Sequence, residues 1–406
     1  MEPIQAMLCE SEQQLALWKT AQARGEEVRL ATTVRVDGSS YRKPGARMLV
    51  TRSGMHAGMV SGGCLEAEIC RKIWWLTERG AHVERYVTTY DRENRVAAGL
   101  GCGGSIDVLF ERDRAASMAM KAVRASIEER RASVILSVVE SEHPALRVGI
   151  YGVVHDGSRE EFQTAVVRQQ RMHERAEADL GRIALDALAQ RASSNRTVLI
   201  NGHEAQVFVE YLGRPPALVV FGAGDDAKPV VALGRMMGWH VIVADLRSQL
   251  TTRERFPGAS LLVTLKKNEL LGDVGISECD AAVLMTHSYE QDRELLRELL
   301  QEGTERSLKY IGILGARRRT KQLVEEAAAS LSLGFEDCMA RLHSPVGLSL
   351  GATAPETIAL SIVAEIQGAI GADPATSTQT DRLRRGERLS ADSAAARAAA
   401  NAAARG

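Results

Sequence analysis

Val219-Val220-Phe221-Gly222-Ala223-Gly224-Asp225-Asp226-Ala227 is a short apolar run that breaks into G-x-G-x-x-A and leads into a helix-forming stretch. Glycines allow a tight turn and close approach of a ligand to the backbone, and the helix start that follows offers N–H donors to an anion. Asp245 ends the next apolar run and is placed to take a ribose hydroxyl pair, so strand, turn, helix and later acid together fit a dinucleotide-binding fingerprint. Gly222, Gly224 and Asp245 are the candidate nucleotide-binding residues. Against that, Asp225 and Asp226 put negative charge where phosphates would sit, and no hydride-transfer constellation stands out downstream. Nucleotide binding and a purely structural Rossmann turn both remain open on these residues.

The pattern around this stretch decides the fold of the second half. Short buried runs at 218–221, 241–244, 260–264, 281–285 and 310–314 alternate with helical segments at 226–237, 289–301 and 318–331. That order predicts a doubly wound parallel sheet, closed by a last helix over 355–370. Polar clusters fall at strand ends, where such sheets place ligands: Thr286-His287-Ser288, Gly315 to Arg319, and His343-Ser344-Pro345. Each histidine alone reads equally as a structural or capping residue. Upstream, Gly213-Arg214-Pro215-Pro216 is a linker, because two prolines stop regular structure. The expected organisation is an N-terminal domain over 1–213, a Rossmann-like domain over 217–370, and an Ala/Arg-rich tail over 371–406. The tail has too little apolar surface to bury a core and is expected to be disordered.

The first half predicts a mixed α+β domain. A helix over 11–24 precedes a strand at 28–36 and a hairpin around Arg52-Ser53-Gly54. A helix at 65–79 follows, then strands at 82–89 and 105–110 and a charged helix at 113–131. Strands at 133–139 and 147–154, a helical segment over 160–191 and a hairpin around Asn201-Gly202 complete it. Two glycine-flanked cysteines carry the chemical interest. Val60-Ser61-Gly62-Gly63-Cys64-Leu65-Glu66 places Cys64 where a glycine turn becomes a helix, whose field lowers a thiol pKa. Gly101-Cys102-Gly103-Gly104 is the second. A buried cysteine in a structural turn is the competing reading for Cys64. Arg42, Lys43 and Arg47 lie in a Gly-, Ser- and Pro-rich loop and offer an anion site or a solvated face.

Composition narrows the classes. With 406 residues, 45% hydrophobic, the chain can bury two cores, and its aromatic content of 4% leaves them to Val, Leu, Ile and Ala. A net charge of -1 argues against non-specific nucleic-acid binding. No apolar run reaches the ~18 residues of a membrane span, and Met1-Glu2-Pro3-Ile4 lacks a signal pattern. Six cysteines at irregular spacing suggest a reducing cytoplasm.

Several of these stretches together resemble the XdhC/CoxI family, accessory proteins of molybdenum hydroxylases such as xanthine dehydrogenase and carbon monoxide dehydrogenase. Gly38-Ser39-Ser40-Tyr41-Arg42 with Pro44-Gly45-Ala46-Arg47-Met48 looks like its first motif. Ser61 to Glu66 looks like its second, and Gly99 to Asp107 its third. Gly222 to Pro229, Met285 to Ser288, Tyr310 to Gly315 and Leu342 to Leu348 look like its Rossmann-like domain. Departures are Tyr41 where proline is frequent, Met59 where Ser or Thr is common, and Asp225 where histidine often stands.

The resemblance implies a chaperone, not itself catalytic, that binds the molybdenum cofactor (molybdopterin), protects it, supports its sulfuration and delivers it to an apo molybdenum hydroxylase. It also implies a cysteine desulfurase as a second partner and a homo-oligomer. Carried onto this sequence, the cofactor-binding residues are Arg42, Arg47, Gly62, Gly63, Cys64, Glu66, Cys102, Gly103 and Gly104, with Cys64 and Cys102 as metal ligands. The alternatives are an NAD(P)-dependent oxidoreductase and a nucleotide-sensing module, each using Gly222, Gly224 and Asp245.

Overall fold

The computed structural model describes residues 9–87, 104–144, 146–156, 174–267, 270–302 and 308–371. The chain divides into two compact units. One comprises Glu10–Pro215, and the other runs from Pro216 and includes Cys9.

The first unit is built on two antiparallel sheets. The five-stranded sheet has the order β3-β2-β1-β5-β4, from β1 (Val28–Asp37), β2 (Arg47–Thr51), β3 (His56–Gly58), β4 (His82–Val87) and β5 (Ser105–Glu111). Side chains alternate across it as strand geometry requires. Leu30 and Leu49 pack with Leu15 and Trp18 of the helix Glu10–Ala23 and with Ala116, Ala119 and Met120 of the helix Asp113–Glu128. Ala31, Met48 and Val50 face the other way, onto Ile69 and Ile73 of the helix Glu66–Leu76. Covered on both faces, β1 is buried over most of its length, Arg29, Thr32 and Thr33 included.

The second sheet has the order β7-β6-β9-β8, from β6 (Ser133–Ser141), β7 (Gly149–His155), β8 (Ser194–Ile200) and β9 (His203–Leu212). The helix Glu174–Gln190 lays Leu180, Ala184 and Ala187 on Val134, Leu136 and Val209. The helical segment expected over 160–191 thus begins outside the described residues. So do the last residues of the strand expected at 82–89 and the whole 371–406 tail but Gly371.

A buried ionic cluster joins the two sheets. Arg47 of β2 holds both carboxylate oxygens of Glu210 in β9, and both residues are buried. Glu111, at the end of β5, accepts the Ile150 N–H through Oε1, and its Oε2 has no hydrogen-bond partner among the described residues. Burial, with a smaller push from the Glu210 carboxylate, raises the Glu111 pKa from 4.5 to about 7 against the pull of the Ile150 N–H and Arg47. Burial raises Glu210 as well, against the pull of Arg47. Two carboxyls facing one guanidinium retain a proton because the interior cannot solvate a spare charge.

The second unit is a doubly wound parallel sheet in the order β12-β11-β10-β13-β14. Its strands are β10 (Ala217–Phe221), β11 (His240–Asp245), β12 (Leu261–Thr264), β13 (Ala281–Leu284) and β14 (Tyr310–Ile313). Leu218 and Val220 pack with Val230 and Val231 of the helix Ala227–Met236 and with Ile362 and Ile366 of the helix Pro355–Gly371. Val219 and Phe221 face the opposite layer, with Leu295 and Leu299 of the helix Tyr289–Glu302 and Leu323 and Val324 of the helix Arg317–Leu331. Beyond β14, His343 pairs in parallel with Gly312 and extends the sheet by one short segment. The helix Phe335–Ala340 and two single 3₁₀ turns, Gly272–Val274 and Ile276–Glu278, were not expected from the sequence. They are too short for apolar periodicity to mark.

The Glu111 proton gives a pH signature. Its folded pKa lies above the unfolded one, so the folded state binds the extra proton between pH 4.5 and about 7. Its stabilising effect is complete below that window and is lost as pH rises through it, a change of up to about 3 kcal/mol. Glu111→Gln keeps a neutral acceptor for Ile150. It should match wild type near pH 4.5 and exceed it in stability at pH 8, as urea unfolding of the full chain at the two pH values will show.

Candidate functional site

The Cys64 loop is held open by a carboxylate of its own chain. Glu66, in the first turn of its helix, is buried, and its Oε1 accepts N–H groups from Val60 at 3.0 Å and Ser61 at 2.9 Å. Oε2 accepts N–H from Gly63 at 2.9 Å and from Leu65 at 3.1 Å, while the Ser61 hydroxyl donates to both oxygens. Burial pushes the Glu66 pKa up, but the donors of Ser61 and the neighbouring backbone outweigh it and leave the carboxyl below its usual value. The anion site that the glycine loop promised exists, and Glu66 fills it. Sequence reasoning counted Glu66 as a ligand-binding residue, whereas the geometry makes it the loop's internal anion.

Winding the chain around Glu66 leaves Gly62, Gly63 and Cys64 exposed at the apex. Gly63 stands at φ +111°, a conformation that only glycine adopts readily. The Cys64 thiol therefore faces solvent and is not a core packing residue.

The Gly38–Tyr41 segment meets both this loop and the start of the second glycine motif's strand. The ring of Tyr41 lies over Gly62, where a Cβ would come within 3.0 Å of Tyr41 Cδ1. At Gly104 a Cβ would sit 2.4 Å from the Ser39 carbonyl oxygen and 2.7 Å from that of Asp37. Only glycine fits there. The pairing of Asp37 with Ser105 explains the meeting, since the loop after β1 and the segment entering β5 lie at the same end of the sheet. Cys102 and Gly103, two residues and one residue before Gly104, lie outside the described residues.

The basic residues divide. Arg42 donates to both oxygens of Glu10 at 2.7 Å, and Glu10 also accepts the Met59 N–H at 3.2 Å, tying the two loops together. Lys43 is exposed. Arg47, expected as a cofactor-binding residue, is buried on Glu210 and forms the bridge between the two sheets. Among the described residues no group of three His, Cys, Asp or Glu side chains is arranged to hold a metal ion.

In the second unit, Gly222 follows β10 at φ +117°, and a Cβ there would lie 2.3 Å from the Met285 carbonyl oxygen after β13. The turn thus sits where β10 and β13 diverge, the topological switch point. Gly224 lies beside Asp226, whose Oδ2 is 2.8 Å from His287 Nε2. Asp245 is fully buried, and its oxygens are all engaged. Oδ1 accepts the Arg247 N–H and Nε, and Oδ2 accepts the Ala223 N–H and Arg247 Nη2, at 2.7 to 2.9 Å. Burial raises this carboxyl, but Arg247 and the backbone donors hold it below the usual range. A carboxylate so saturated has no lone pair for a ribose hydroxyl. Asp225 is exposed at the turn's mouth and paired with Lys228 and Arg255.

Residues 218–366 match the XdhC Rossmann domain, and residues 21–89 match the XdhC and CoxI family. A probable xanthine dehydrogenase subunit from Bacillus subtilis is 31% identical over 348 residues, covering 84% of this chain and 92% of that protein. The molybdenum cofactor insertion chaperone PaoD of Escherichia coli is 24% identical over 352 residues, 84% of this chain and 83% of that one. A crystal structure described as a xanthine dehydrogenase from Bacillus halodurans, 25% identical, matches with a TM-score of 0.64 over 90% of this chain and 97% of its own.

Two substitutions separate the loop's scaffold from its exposed thiol. Glu66→Gln leaves loop N–H donors facing an amide that cannot accept them all, and should cost about 2 kcal/mol of stability. It should also change the rate at which iodoacetamide alkylates Cys64, read by mass spectrometry. Arg47→Ala strands Glu210 in the interior and should cost about 3–5 kcal/mol in urea unfolding, an effect that binding assays on folded protein will not register.

Proposed function

The chain belongs to the XdhC and CoxI family, and from that premise we propose that it is an accessory protein of molybdenum enzymes. It takes the molybdenum cofactor as cargo, shields it, supports exchange of an oxo for a sulfido ligand, and passes it to an apo-hydroxylase. The observation that carries this reading is the exposed Cys64 thiol at the apex of a loop preorganised by Glu66 and met by the Gly38–Tyr41 loop. Soft sulfur suits a molybdenum–sulfur centre or a passing persulfide, and an exposed thiol can also exchange its partner. The kinship with PaoD, named as a molybdenum cofactor insertion chaperone, supports the same reading.

The site works through side chains more than through backbone donors, because Glu66 already occupies the loop's N–H groups. Cys64 provides the sulfur contact, and the Tyr41 ring borders the loop over Gly62. Cys102, two residues from Gly104, supplies the second thiol. A dehydrogenase role finds less support, since the acid that would hold the ribose is saturated by Arg247 and Ala223. The homo-oligomer and the cysteine desulfurase partner belong to this proposal as its expected company.

The test purifies the full chain, with Cys64→Ser and Cys102→Ser variants, from a molybdenum-replete host. Molybdenum and fluorescent pterin are then measured per protein. Cys64→Ser should melt as wild type does, because its side chain is exposed, yet retain less than a tenth of the cofactor. Loaded wild type mixed with apo-hydroxylase should restore cyanide-sensitive activity faster than free cofactor does. Equal cofactor retention by both variants would assign the binding site elsewhere.

A further inference from the structure

Two of the polar clusters at strand ends in the Rossmann-like unit, Gly315–Arg319 and His343–Pro345, come together around one cavity of about 780 Å³. It opens at the carboxyl ends of β14 and of the short segment that pairs with it through His343, the edge where parallel sheets receive ligands. The volume lies within the range of small-molecule sites.

Its lining is divided by chemistry. Arg317 begins a helix whose N-cap residue, Ala316, gives no side-chain cap, so a guanidinium and the first-turn donors stand at one side. Arg319, two residues on, is already paired with Asp292, whereas Arg317 has no ion pair among the described residues. Leu314, Val346 and Ile358 supply apolar walls. The floor is a buried polar network. Glu365, 3% exposed, accepts the Tyr310 hydroxyl at 2.7 Å and the Gly347 N–H at 2.8 Å through Oε2. Its Oε1 lies 3.6 Å from His343 Nδ1, and the His343 ring packs on Tyr310 with centroids 4.0 Å apart. A helix rarely carries a fully buried carboxylate where packing alone is needed. Here it holds the Gly347 loop and the Tyr310 hydroxyl, and the Tyr310 ring in turn packs on the imidazole at the cavity wall.

We propose that this cavity binds a phosphorylated heterocycle, with Arg317 on the phosphate, the apolar walls on the ring faces and His343 with Glu365 at the ring's polar edge. The site shares no residue with the Cys64 loop or with the glycine turn at Gly222. For a pterin monophosphate, the organic part of the molybdenum cofactor, the inference rests on the cofactor-accessory reading and adds a second contact site; for a purine mononucleotide it goes beyond that reading. Two sources share this chemistry, a pterin monophosphate and a purine mononucleotide.

Equilibrium dialysis of the cofactor-free full chain against a pterin monophosphate and, separately, guanosine 5′-monophosphate tests the proposal. At least one should bind saturably, with inorganic phosphate competing, and a tenfold preference identifies the source. Arg317→Ala, at an exposed position, should weaken binding tenfold or more. Ile358→Trp, which fills the cavity, should abolish binding while circular dichroism stays unchanged. Asp225→Ala at the glycine turn should leave binding as in wild type. The proposal is overturned if neither ligand binds, if Arg317→Ala and folded Ile358→Trp both bind normally, or if Asp225→Ala alone loses the ligand. Pterin and molybdenum retention by Cys64→Ser tests the thiol, whereas dialysis of cofactor-free protein and its Arg317→Ala variant tests the cavity, so the two readings fail separately.

Discussion

One carboxylate sets the geometry on which the first unit's site depends. Glu66 gathers four backbone N–H groups and a hydroxyl from residues 60–65 and so holds a loop rich in glycine to one shape. Glycine makes the turn sterically possible but adds entropy to the unfolded chain. The hydrogen bonds to a charged acceptor, each stronger than a neutral one, offset that loss and fix the apex. The exposed thiol is a consequence of this winding. The residue that presents it lies two positions away, inside the helix.

The same unit shows how a cation in a plausible motif is claimed by the interior. Arg42 and Arg47 sit five residues apart in one loop-to-strand segment, yet only Arg47 enters β2 with its side chain directed inward. Once buried it requires a carboxylate, and Glu210 on β9 supplies it across the gap between the two sheets. Glu111 then makes the cluster one negative charge too rich, and the retained proton restores neutrality. The cluster is a joint between sheets.

Legibility of the sequence follows the range of the forces involved. The α/β class, the parallel strands of the second unit and the helices at 289 and 317 were legible because apolar periodicity is local and the runs are strong. The contact of the Gly38–Tyr41 loop with Gly62 and Gly104 was not legible, since the β1–β5 pairing that brings Gly104 to it joins residues far apart in sequence. The fates of Arg47 and Asp245 were not legible. Glu210 is 163 positions from Arg47, and nothing in either neighbourhood marks the pair. For Asp245 a signal was present, because Arg247 stands two residues on and can return a bidentate bond to the acid. The cavity at Arg317 and His343 was half legible, as two polar clusters at strand ends without a link between them.

Both units contain the same arrangement, and it changes what a glycine motif with a nearby acid means. In one, Glu66 occupies the donors of its glycine loop. In the other, Asp245 takes the Ala223 N–H between Gly222 and Gly224. An acid near a glycine turn is as able to ligate that turn as to contact a nucleotide, because both uses depend on the same unpaired N–H groups. The distinction lies in the lone pairs. A carboxylate with every lone pair engaged by its own chain is part of the scaffold, and any ligand must be recognised by groups that the scaffold leaves exposed. The exposed groups on which the two proposals rest are the thiol of Cys64 in the first unit and the guanidinium of Arg317 in the second. The two proposed sites thus rest on different units of the chain, each on a side chain that its own fold has left without a partner among the described residues.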